Sequence, residues 1–301
     1  MRSCTVSIAE SSQFASALIL CSVKARWRIQ ITGENAEESP YVKMTDLMLV
    51  AFPHRGGRFQ IEPDASSGSY FWAAGSLLAE RLPPPGELKP ARTPLEWELV
   101  KAVVGPAYAD FRVAHWPTMS NQVDSRFPAY FGYGGLLLGR DPGSEVTLSG
   151  QEPDSSSISR IKDLGDSIMT AVVLAPFAEC QIRFTDLGRL RVQECERVVA
   201  LRTELTKCGA KVVEEGDTLT VYPSKLHGAE IETYNDHRMA MCFAILGLKV
   251  PGIKIKNPAC VKKTFPNFFQ KLAALPPKGL GATIRDGKTG RGLGLEELFA
   301  E

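Results

Sequence analysis

The sequence predicts an α/β fold built from repeated βαβαββ units, and two observations favour it. First, four stretches of the 301-residue chain share one plan: a polar cap precedes a helix that is apolar nearly all round and rich in Ala, Gly or Ser, beginning at Ser11, Asp64, Asp166 and Asp236. Helices of this composition are buried and closely packed on both sides. Second, each stretch is followed by a strand-like segment and then a more amphipathic helix, so the same order of elements recurs along the chain.

The remaining elements follow from this plan in chain order. Strands after the buried helices are expected at 27–32, after Leu78, at 181–185 and at 252–255. Amphipathic helices are expected at 41–52, 95–104, 194–208 and 265–275. Further strands at 58–62, 211–214 and 218–222 close the units.

Three segments do not follow the plan. Residues 83–94 are rich in proline, and residues 127–159 are rich in Gly, Pro and Ser, so both are predicted to be long loops. Six glycines between 276 and 301 predict a flexible C-terminal extension.

Composition excludes several classes of function. A net charge of +1 gives no bulk reason to bind nucleic acid or a membrane surface, and no segment reaches the roughly 18 apolar residues of a membrane helix. The seven cysteines form no CxxC pair, which favours reduced thiols in a cytoplasmic protein over a zinc site or a disulfide framework. With no nucleotide-binding glycine motif either, we expect neither a metal nor a cofactor.

The stretch 234–242, Tyr-Asn-Asp-His-Arg-Met-Ala-Met-Cys, indicates an anion site. It places Asp236, His237 and Arg238 at the start of a helix expected over 239–248, and Lys263 is expected to open another helix. Helix N-termini attract anions through free N–H groups and the helix dipole. An arginine fork and a lysine charge beside them suit a carboxylate or a phosphate.

Seven motifs in one order resemble the 5-enolpyruvylshikimate-3-phosphate (EPSP) synthase family of 3-phosphoshikimate 1-carboxyvinyltransferases. They are Ser-Ser-Gln-Phe from Ser11, Ser-Pro-Tyr-Val-Lys-Met-Thr from Ser39, Asp-Ala-Ser-Ser-Gly-Ser-Tyr-Phe from Asp64, Asp-Ser-Ile-Met-Thr from Asp166, Leu-Arg-Val-Gln-Glu-Cys-Glu-Arg from Leu190, Asn-Asp-His-Arg-Met-Ala from Asn235 and Lys-Thr-Phe-Pro from Lys263. The resemblance runs from about residue 5 to 275 and is poor over 83–159. It implies an inside-out α/β barrel of two domains, each with three βαβαββ units, and an active site in the cleft between them without cofactor or metal.

The resemblance also implies a domain division. Residues 1–62 correspond to the last third of one domain, 63–275 to a nearly complete second domain with the loop-rich stretch 83–159, and 276–301 to the flexible tail. Family chains carry further residues ahead of the Ser-Ser-Gln motif, with basic and acidic side chains that contact both substrates. The expected macromolecular partner is therefore a separate N-terminal domain, or a second copy of the chain.

The reaction implied by the resemblance joins the 5-hydroxyl of shikimate 3-phosphate to the enol carbon of phosphoenolpyruvate and then expels phosphate. It makes Asp166 the base for the hydroxyl and Glu194 the proton shuttle at the methylene carbon. From the sequence alone, a helix N-cap is the favoured role of Asp166, because capping is the commoner use of Asp at such a position. Glu194 would alternatively be an acid that stabilises a helix dipole, as Glu196 is expected to be.

For phosphoenolpyruvate, the resemblance implies contacts from Gln13, Arg197, His237, Arg238 and Lys263. Spacing alone leaves Arg197 as a plain i,i+3 ion-pair partner of Glu194 and Lys263 as a solvated lysine. His237 would alternatively make a structural hydrogen bond.

For shikimate 3-phosphate, the resemblance implies contacts from Ser11, Ser12, Gln13, Tyr41 and Gln193. Without it, Ser11 and Ser12 are capping residues and Tyr41 is a packing residue. Two positions depart from the family: Gln193 replaces a lysine and Glu38 replaces a serine, so affinity for this substrate is expected to change.

Two rival functions remain at this point. One is the sister transferase acting on UDP-N-acetylglucosamine, whose hallmark cysteine loop would precede Ser11. The other is a non-catalytic remnant, or a half-enzyme that functions only with a separate N-terminal domain.

Overall fold

Two separate hydrophobic cores organise the chain. The computed structural model describes residues 2–35, 37–78, 113–117, 120–130 and 157–301. The smaller core lies in residues 2–62, called the N-terminal unit below, and consists of Ile8, Ala15, Ile19 and Val42. The larger core lies in residues 63–301, called the main body.

The N-terminal unit has the order βαβα. Its elements are β1 (Arg2–Ser7), α1 (Gln13–Ala25), β2 (Trp27–Thr32) and α2 (Ser39–Ala51). Strands β1 and β2 pair in parallel, with Arg2 opposite Trp27 and Ser7 opposite Thr32, and α1 is the crossover between them. The predicted helices and the strand at 27–32 are confirmed, whereas β1 was not predicted.

The strand predicted at 58–62 is wrong. These residues have no regular secondary structure, and most are exposed. A strand needs a neighbour to accept and donate its backbone hydrogen bonds, and no described strand lies beside this segment.

The described residues of the main body form one complete βαβαββ unit and one shortened unit. Its elements are α3 (Ala65–Leu78), α4 (Phe127–Tyr130), β3 (Ser157–Ser159), α5 (Ile168–Leu174), β4 (Ile182–Thr185), α6 (Arg197–Lys207), β5 (Val212–Glu215), β6 (Thr218–Val221), β7 (Glu230–Ile231), α7 (His237–Gly247), β8 (Lys254–Ile255) and α8 (Phe268–Ala273). The complete unit forms a sheet of order β3-β4-β6-β5, in which β3 and β4 are parallel and the other pairs antiparallel. The shortened unit pairs β7 and β8 in parallel around α7.

The small-residue helices α3, α5 and α7 pack against one another inside the main body. All seven residues of α5 are buried, as are most residues of α7. The prediction of helices buried on all sides is confirmed. Because these helices pack side by side, their N-terminal ends meet, and the candidate site forms there.

Two predicted helix starts are wrong. Helix α6 begins at Arg197 rather than at 194, because the Glu196 side chain accepts the Val199 N–H at 2.6 Å and caps the helix there. Lys263 ends a 3₁₀ turn, Pro258–Lys263, instead of opening a helix. Pro266 disfavours helical geometry at the residue before it, so α8 begins only at Phe268.

The C-terminal segment also differs from the flexible extension that the sequence predicts. Leu298 and Ala300 are buried, and the Ala300 N–H donates to the Pro266 carbonyl at 2.9 Å. The Gln270 side chain donates to the Leu295 carbonyl, so the segment lies on α8. Apolar residues in this segment pack against the rest of the main body, and the high glycine content alone does not predict this packing.

Much of the loop-rich stretch 83–159, including the helix predicted at 95–104, lies outside the described residues, as does the strand predicted after Leu78. Its described parts contain α4 and β3. In the described ranges, every helix is too short or too polar to cross a membrane.

Candidate active site

The N-terminal ends of α3, α5 and α7 bring three polar side chains together. Arg238, in the first turn of α7, donates to the Ser66 hydroxyl at the start of α3. Its Nη2 also lies 3.3 Å from Asp166 Oδ2, just ahead of α5. Ser66 and Arg238 are 172 residues apart in sequence, so they come into contact only because the helices pack together.

Asp166 lies in a 3₁₀ turn, Gly165–Ser167, with its carboxylate between two guanidinium groups. Arg160 Nη2 donates to Oδ1 at 3.0 Å, and Arg238 approaches Oδ2. Burial would raise the pKa of Asp166, but Arg238 and Arg160 outweigh burial and hold that pKa below its ordinary value. The carboxylate is thus ionised at neutral pH and paired with arginines, which is not the simple N-cap that spacing alone favours.

A buried ion pair joins α7 to α6. Asp236 caps α7 by accepting the Arg238 N–H at 2.8 Å, as predicted, and also accepts from Arg197 Nε at 2.7 Å. Both Asp236 and Arg197 are almost fully buried, at 0% and 1% exposure. Arg197 additionally contacts Gln193, so Gln193 acts here as a partner of Arg197.

Glu194 is held between two cations. Arg197 Nη2 donates to Oε2 at 2.6 Å, and the Lys263 ammonium donates to Oε1. Burial would raise the pKa of Glu194, but the hydrogen bond from Lys263 and the charge of Arg197 lower it to about 2. The i,i+3 pair expected from spacing is therefore present, yet it is one part of a larger network.

His237 is buried beside this network with an unmatched ring atom. Its Nδ1 is buried and has no hydrogen-bond partner among the described residues, and it lies 4.0 Å from Asp236 Oδ1. Burial and the neighbouring Arg238 lower the pKa of His237, so the ring is neutral at neutral pH. The structural hydrogen bond proposed as an alternative is not formed at this atom.

Five predicted side chains thus lie in one continuous network. The Lys263, Glu194 and Arg197 side chains contact one another in that order, and Arg197 contacts the Asp236 carboxylate. Asp236 is linked to Arg238 through the Arg238 backbone N–H, and the Arg238 guanidinium contacts Asp166. The arrangement can exchange an internal carboxylate for an anionic ligand at each cation. Within the described ranges, no cluster of His, Cys, Asp and Glu suits a metal ion.

A cavity of about 210 Å³ opens beside Asp166, between the N-terminal unit and the main body. Residues that line it include Tyr41, Ser66, Asp124, Arg160, Asp166 and Arg238. Burial and the charge of Asp166 raise the pKa of Tyr41 to about 12, so its hydroxyl keeps its proton. Of the predicted site residues, Tyr41, Asp166 and Arg238 line this cavity.

Sequence reasoning missed three of these lining residues. Ser66 lies two residues after the Asp64 cap, which accepts the Ser66 N–H, so the motif that starts at Asp64 could have signalled it. Arg160 and Asp124 adjoin or lie in the loop-rich stretch and carry no motif. Asp124 accepts the Ser167 N–H at 2.6 Å, and burial followed by the charge of Asp166 raises the pKa of Asp124 to about 6.

Ser11, Ser12 and Gln13 lie at the start of α1 and do not line the cavity. The Ser11 hydroxyl accepts the Gln13 N–H at 3.2 Å, which fits its capping interpretation, while the Ser12 side chain makes no capping bond. The Ser12 N–H instead donates to Glu38 Oε2 at 2.6 Å. Glu38 is buried, and its other oxygen pairs with Arg189 at 3.2 Å. The Glu38 carboxylate therefore accepts the hydrogen bond from the Ser12 N–H that an anionic ligand at this helix start would otherwise accept.

Comparisons with known proteins agree on one family. A family model described as EPSP synthase (3-phosphoshikimate 1-carboxyvinyltransferase) matches residues 139–272. The 3-phosphoshikimate 1-carboxyvinyltransferase of Nostoc punctiforme is 31% identical over 282 residues, which cover 87% of this chain and 59% of that protein. The Shewanella loihica protein of the same name is 31% identical, covering 88% of this chain and 60% of its own length.

A solved structure of EPSP synthase from Acinetobacter baumannii superposes with a TM-score of 0.50 at 18% identity, covering 91% of this chain and 62% of the other. This likeness supports the inside-out α/β fold. The chain spans about three fifths of the length of the curated relatives it matches. Over most of its own length the chain is thus similar to EPSP synthases, and the family model matches its residues 139–272.

Proposed function

We propose that this site transfers the enolpyruvyl group of phosphoenolpyruvate to the 5-hydroxyl of shikimate 3-phosphate, without cofactor or metal, in the cytoplasm. One observation carries the proposal. Two carboxylates are each paired with cations, Glu194 with Arg197 and Lys263 and Asp166 with Arg238, and the two groups are joined through Asp236. A reaction between two polyanions with two proton transfers needs such acids and cations close together.

Phosphoenolpyruvate carries a carboxylate and a phosphate, and the network offers cations for both. Arg238 and Arg197 offer guanidinium forks for the carboxylate, and Lys263 offers a point charge for the phosphate. Lys263 is 58% exposed at its side chain, so an incoming phosphate can reach it. The unmatched, buried Nδ1 of His237 adds a polar contact for the same ligand.

Asp166 is suited to accept the hydroxyl proton because its carboxylate is already ionised. As the hydroxyl oxygen bonds to the enol carbon, the methylene carbon takes a proton from Glu194. Phosphate then leaves as the new methyl group returns a proton to Glu194.

Glu194 can deliver that proton only if its pKa rises from about 2. Lys263 and Arg197 cause the low value, so a ligand anion that neutralises them would raise the pKa of Glu194. Binding of phosphoenolpyruvate would thus prepare the acid for its step.

Ser11, Ser12, Gln13, Tyr41 and Gln193 are the proposed contacts for shikimate 3-phosphate. Tyr41 lines the cavity and is the best placed of them. The Ser12 N–H becomes available to the substrate phosphate only when Glu38 moves aside.

We also propose that a further N-terminal domain of the family's fold covers the N-terminal unit. In the helices of the N-terminal unit, the side chains of Phe14, Leu20 and Val50 are 69%, 58% and 83% exposed. Apolar side chains exposed together on one small unit favour association with another surface. Self-association is the rival arrangement.

Calorimetric titration with phosphoenolpyruvate tests the ligand assignment. Lys263→Ala and Arg238→Ala should each weaken binding at least about tenfold, because each removes a cation that faces the ligand anion. Lys262→Ala is the matched control, since Lys262 lies beside Lys263 in the same turn but has no place in the network. The affinity of this variant should match that of the unaltered chain. Equal affinity in all four proteins would refute the assignment.

Phosphate release from the two substrates tests the reaction itself. We expect the purified chain to release phosphate when the N-terminal domain of a full-length relative is added. Turnover with UDP-N-acetylglucosamine instead of shikimate 3-phosphate would identify the sister reaction. No turnover with either acceptor, with the added domain present, would refute the proposed function.

A further inference from the structure

We propose that Arg160 is a positioning residue that orients the Asp166 carboxylate and couples it, through Glu37, to the N-terminal unit. The proposal rests on the proposed role of Asp166 as the base. Neither Arg160 nor Glu37 belongs to the motifs that indicated the site.

Arg160 is a buried arginine with two carboxylate partners. It is 5% exposed and follows β3 directly, at the start of the turn Arg160–Leu164. Its Nη2 lies 3.0 Å from Asp166 Oδ1, and its Nη1 lies 2.7 Å from Glu37 Oε2. Burying a guanidinium costs several kcal/mol unless it is paired, so these two carboxylates are what stabilises it there.

The two oxygens of Asp166 have different partners. Arg160 contacts Oδ1, whereas Arg238 contacts Oδ2. In the proposed reaction, Arg238 turns to the substrate carboxylate and loosens its hold on Asp166. Arg160 then remains as the cation that keeps the base in place and ionised.

Other charges around Asp166 do not replace Arg160. Arg197 contributes at longer range, while Asp124 is a carboxylate that disfavours a second negative charge nearby. The Tyr41 hydroxyl keeps its proton. With Arg238 turned to the substrate and Arg160 absent, burial and Asp124 together would favour the protonated form of Asp166, which cannot accept a proton.

Glu37 makes the arrangement depend on both parts of the molecule. It belongs to the N-terminal unit, whereas Arg160 and Asp166 belong to the main body. A second ion pair, Glu38 with Arg189, crosses the same boundary without contacting Asp166. Breaking this second pair would loosen the contact between the two parts without touching Asp166. It therefore provides a control for effects that do not act on the base directly.

The test is a carboxyl ¹³C NMR titration of Asp166 in the full chain, with the resonance assigned by Asp166→Asn. Arg160→Gln should raise the pKa of Asp166 by about one pH unit or more, since it removes the partner of Oδ1. Arg160→Lys keeps a charge but cannot bridge two carboxylates, so a smaller rise is expected. Arg189→Gln should leave the pKa of Asp166 unchanged.

If Arg160→Gln does not fold, the comparison of Arg160→Lys with Arg189→Gln decides the question. Equal pKa values of Asp166 in these two variants would overturn the proposal, as would an equal rise in Arg160→Gln and Arg189→Gln. The titration needs no turnover, so it stands apart from the phosphoenolpyruvate and phosphate-release experiments. If phosphoenolpyruvate binding and phosphate release fail but the titration gives the expected shifts, the reaction is rejected and the contact of Arg160 with Asp166 is retained.

Discussion

At the scale of single residues, Glu38 is the side chain most at odds with the family's pattern. Its carboxylate accepts the Ser12 N–H and pairs with Arg189. Both interactions are ones that a phosphate group forms with a helix N-terminus and a guanidinium. Glu38 therefore holds the start of α1 in the way a bound anion would.

Replacing Glu38 should open this position. Glu38→Ser is expected to bind inorganic phosphate at least about tenfold more tightly than the unaltered chain, because it frees one N–H and one guanidinium. The measurement is an NMR titration that follows the Ser12 and Gln13 amide signals. Glu34→Ser changes the same charge at an exposed position of the same unit and serves as the control. Similar phosphate affinity in both variants would contradict this view of Glu38.

The same scale shows what sequence can and cannot predict about the site. Asp166, Arg238 and Lys263 stand in motifs, so their place in one site could be predicted. Ser66 and Arg160 acquire their roles only through partners distant in sequence, such as Glu37, 123 residues from Arg160. No local pattern records a contact of that kind.

At the scale of elements, helix caps decide where the site residues stand. Asp236 both caps α7 and neutralises the buried Arg197. The cap fixes the first turn of α7, and that turn carries His237 and Arg238. One buried carboxylate thus sets the direction of two proposed ligand contacts.

Removing this carboxylate should be costly. Asp236→Ala is expected to lower the free energy of unfolding by about 3–5 kcal/mol, because it removes the fully buried carboxylate partner of Arg197 and the cap of α7 together. Glu196→Ala removes a partly exposed cap of α6 and should cost about 1 kcal/mol. Urea unfolding of both variants gives the comparison. A loss for Asp236→Ala no larger than for Glu196→Ala would contradict the buried-pair argument.

The buried helices were predictable because their residues are apolar on every face, but their exact ends were not. Helix α6 starts at Arg197 because Glu196 accepts the Val199 N–H, although Glu194 three residues earlier is an equally plausible start. Lys263 stands in a 3₁₀ turn because Pro266 delays α8. The first residue of such a helix depends on which acidic side chain accepts a backbone N–H in the folded chain.

At the scale of the whole molecule, the two cores differ greatly in size. The N-terminal unit has four buried apolar residues and a two-stranded sheet. The main body buries most of three helices and residues of three strands of its four-stranded sheet. Two-stranded sheets are only marginally stable on their own. The N-terminal unit should therefore open locally more often than the main body.

Native-state hydrogen exchange followed by mass spectrometry measures this difference. Peptides that cover β1 and β2 should exchange at least about tenfold faster than peptides that cover β4 and β6. Val42→Ala, in the small core, should widen the gap, whereas Val50→Ala, at an exposed position of α2, should not. Equal protection of both parts would show that they unfold as one unit.

Glu37 and Glu38 are adjacent in sequence, yet each pairs with a different arginine of the main body. Glu37 pairs with Arg160, and Glu38 pairs with Arg189. An extra residue between Glu38 and Pro40 would turn the two glutamates by about 100° around the axis of α2 and withdraw both from their arginines. The connection from β2 to α2 is consequently intolerant of insertions and deletions, although surface connections usually accept them. Evolution could vary the amino acids of this short link far more freely than their number.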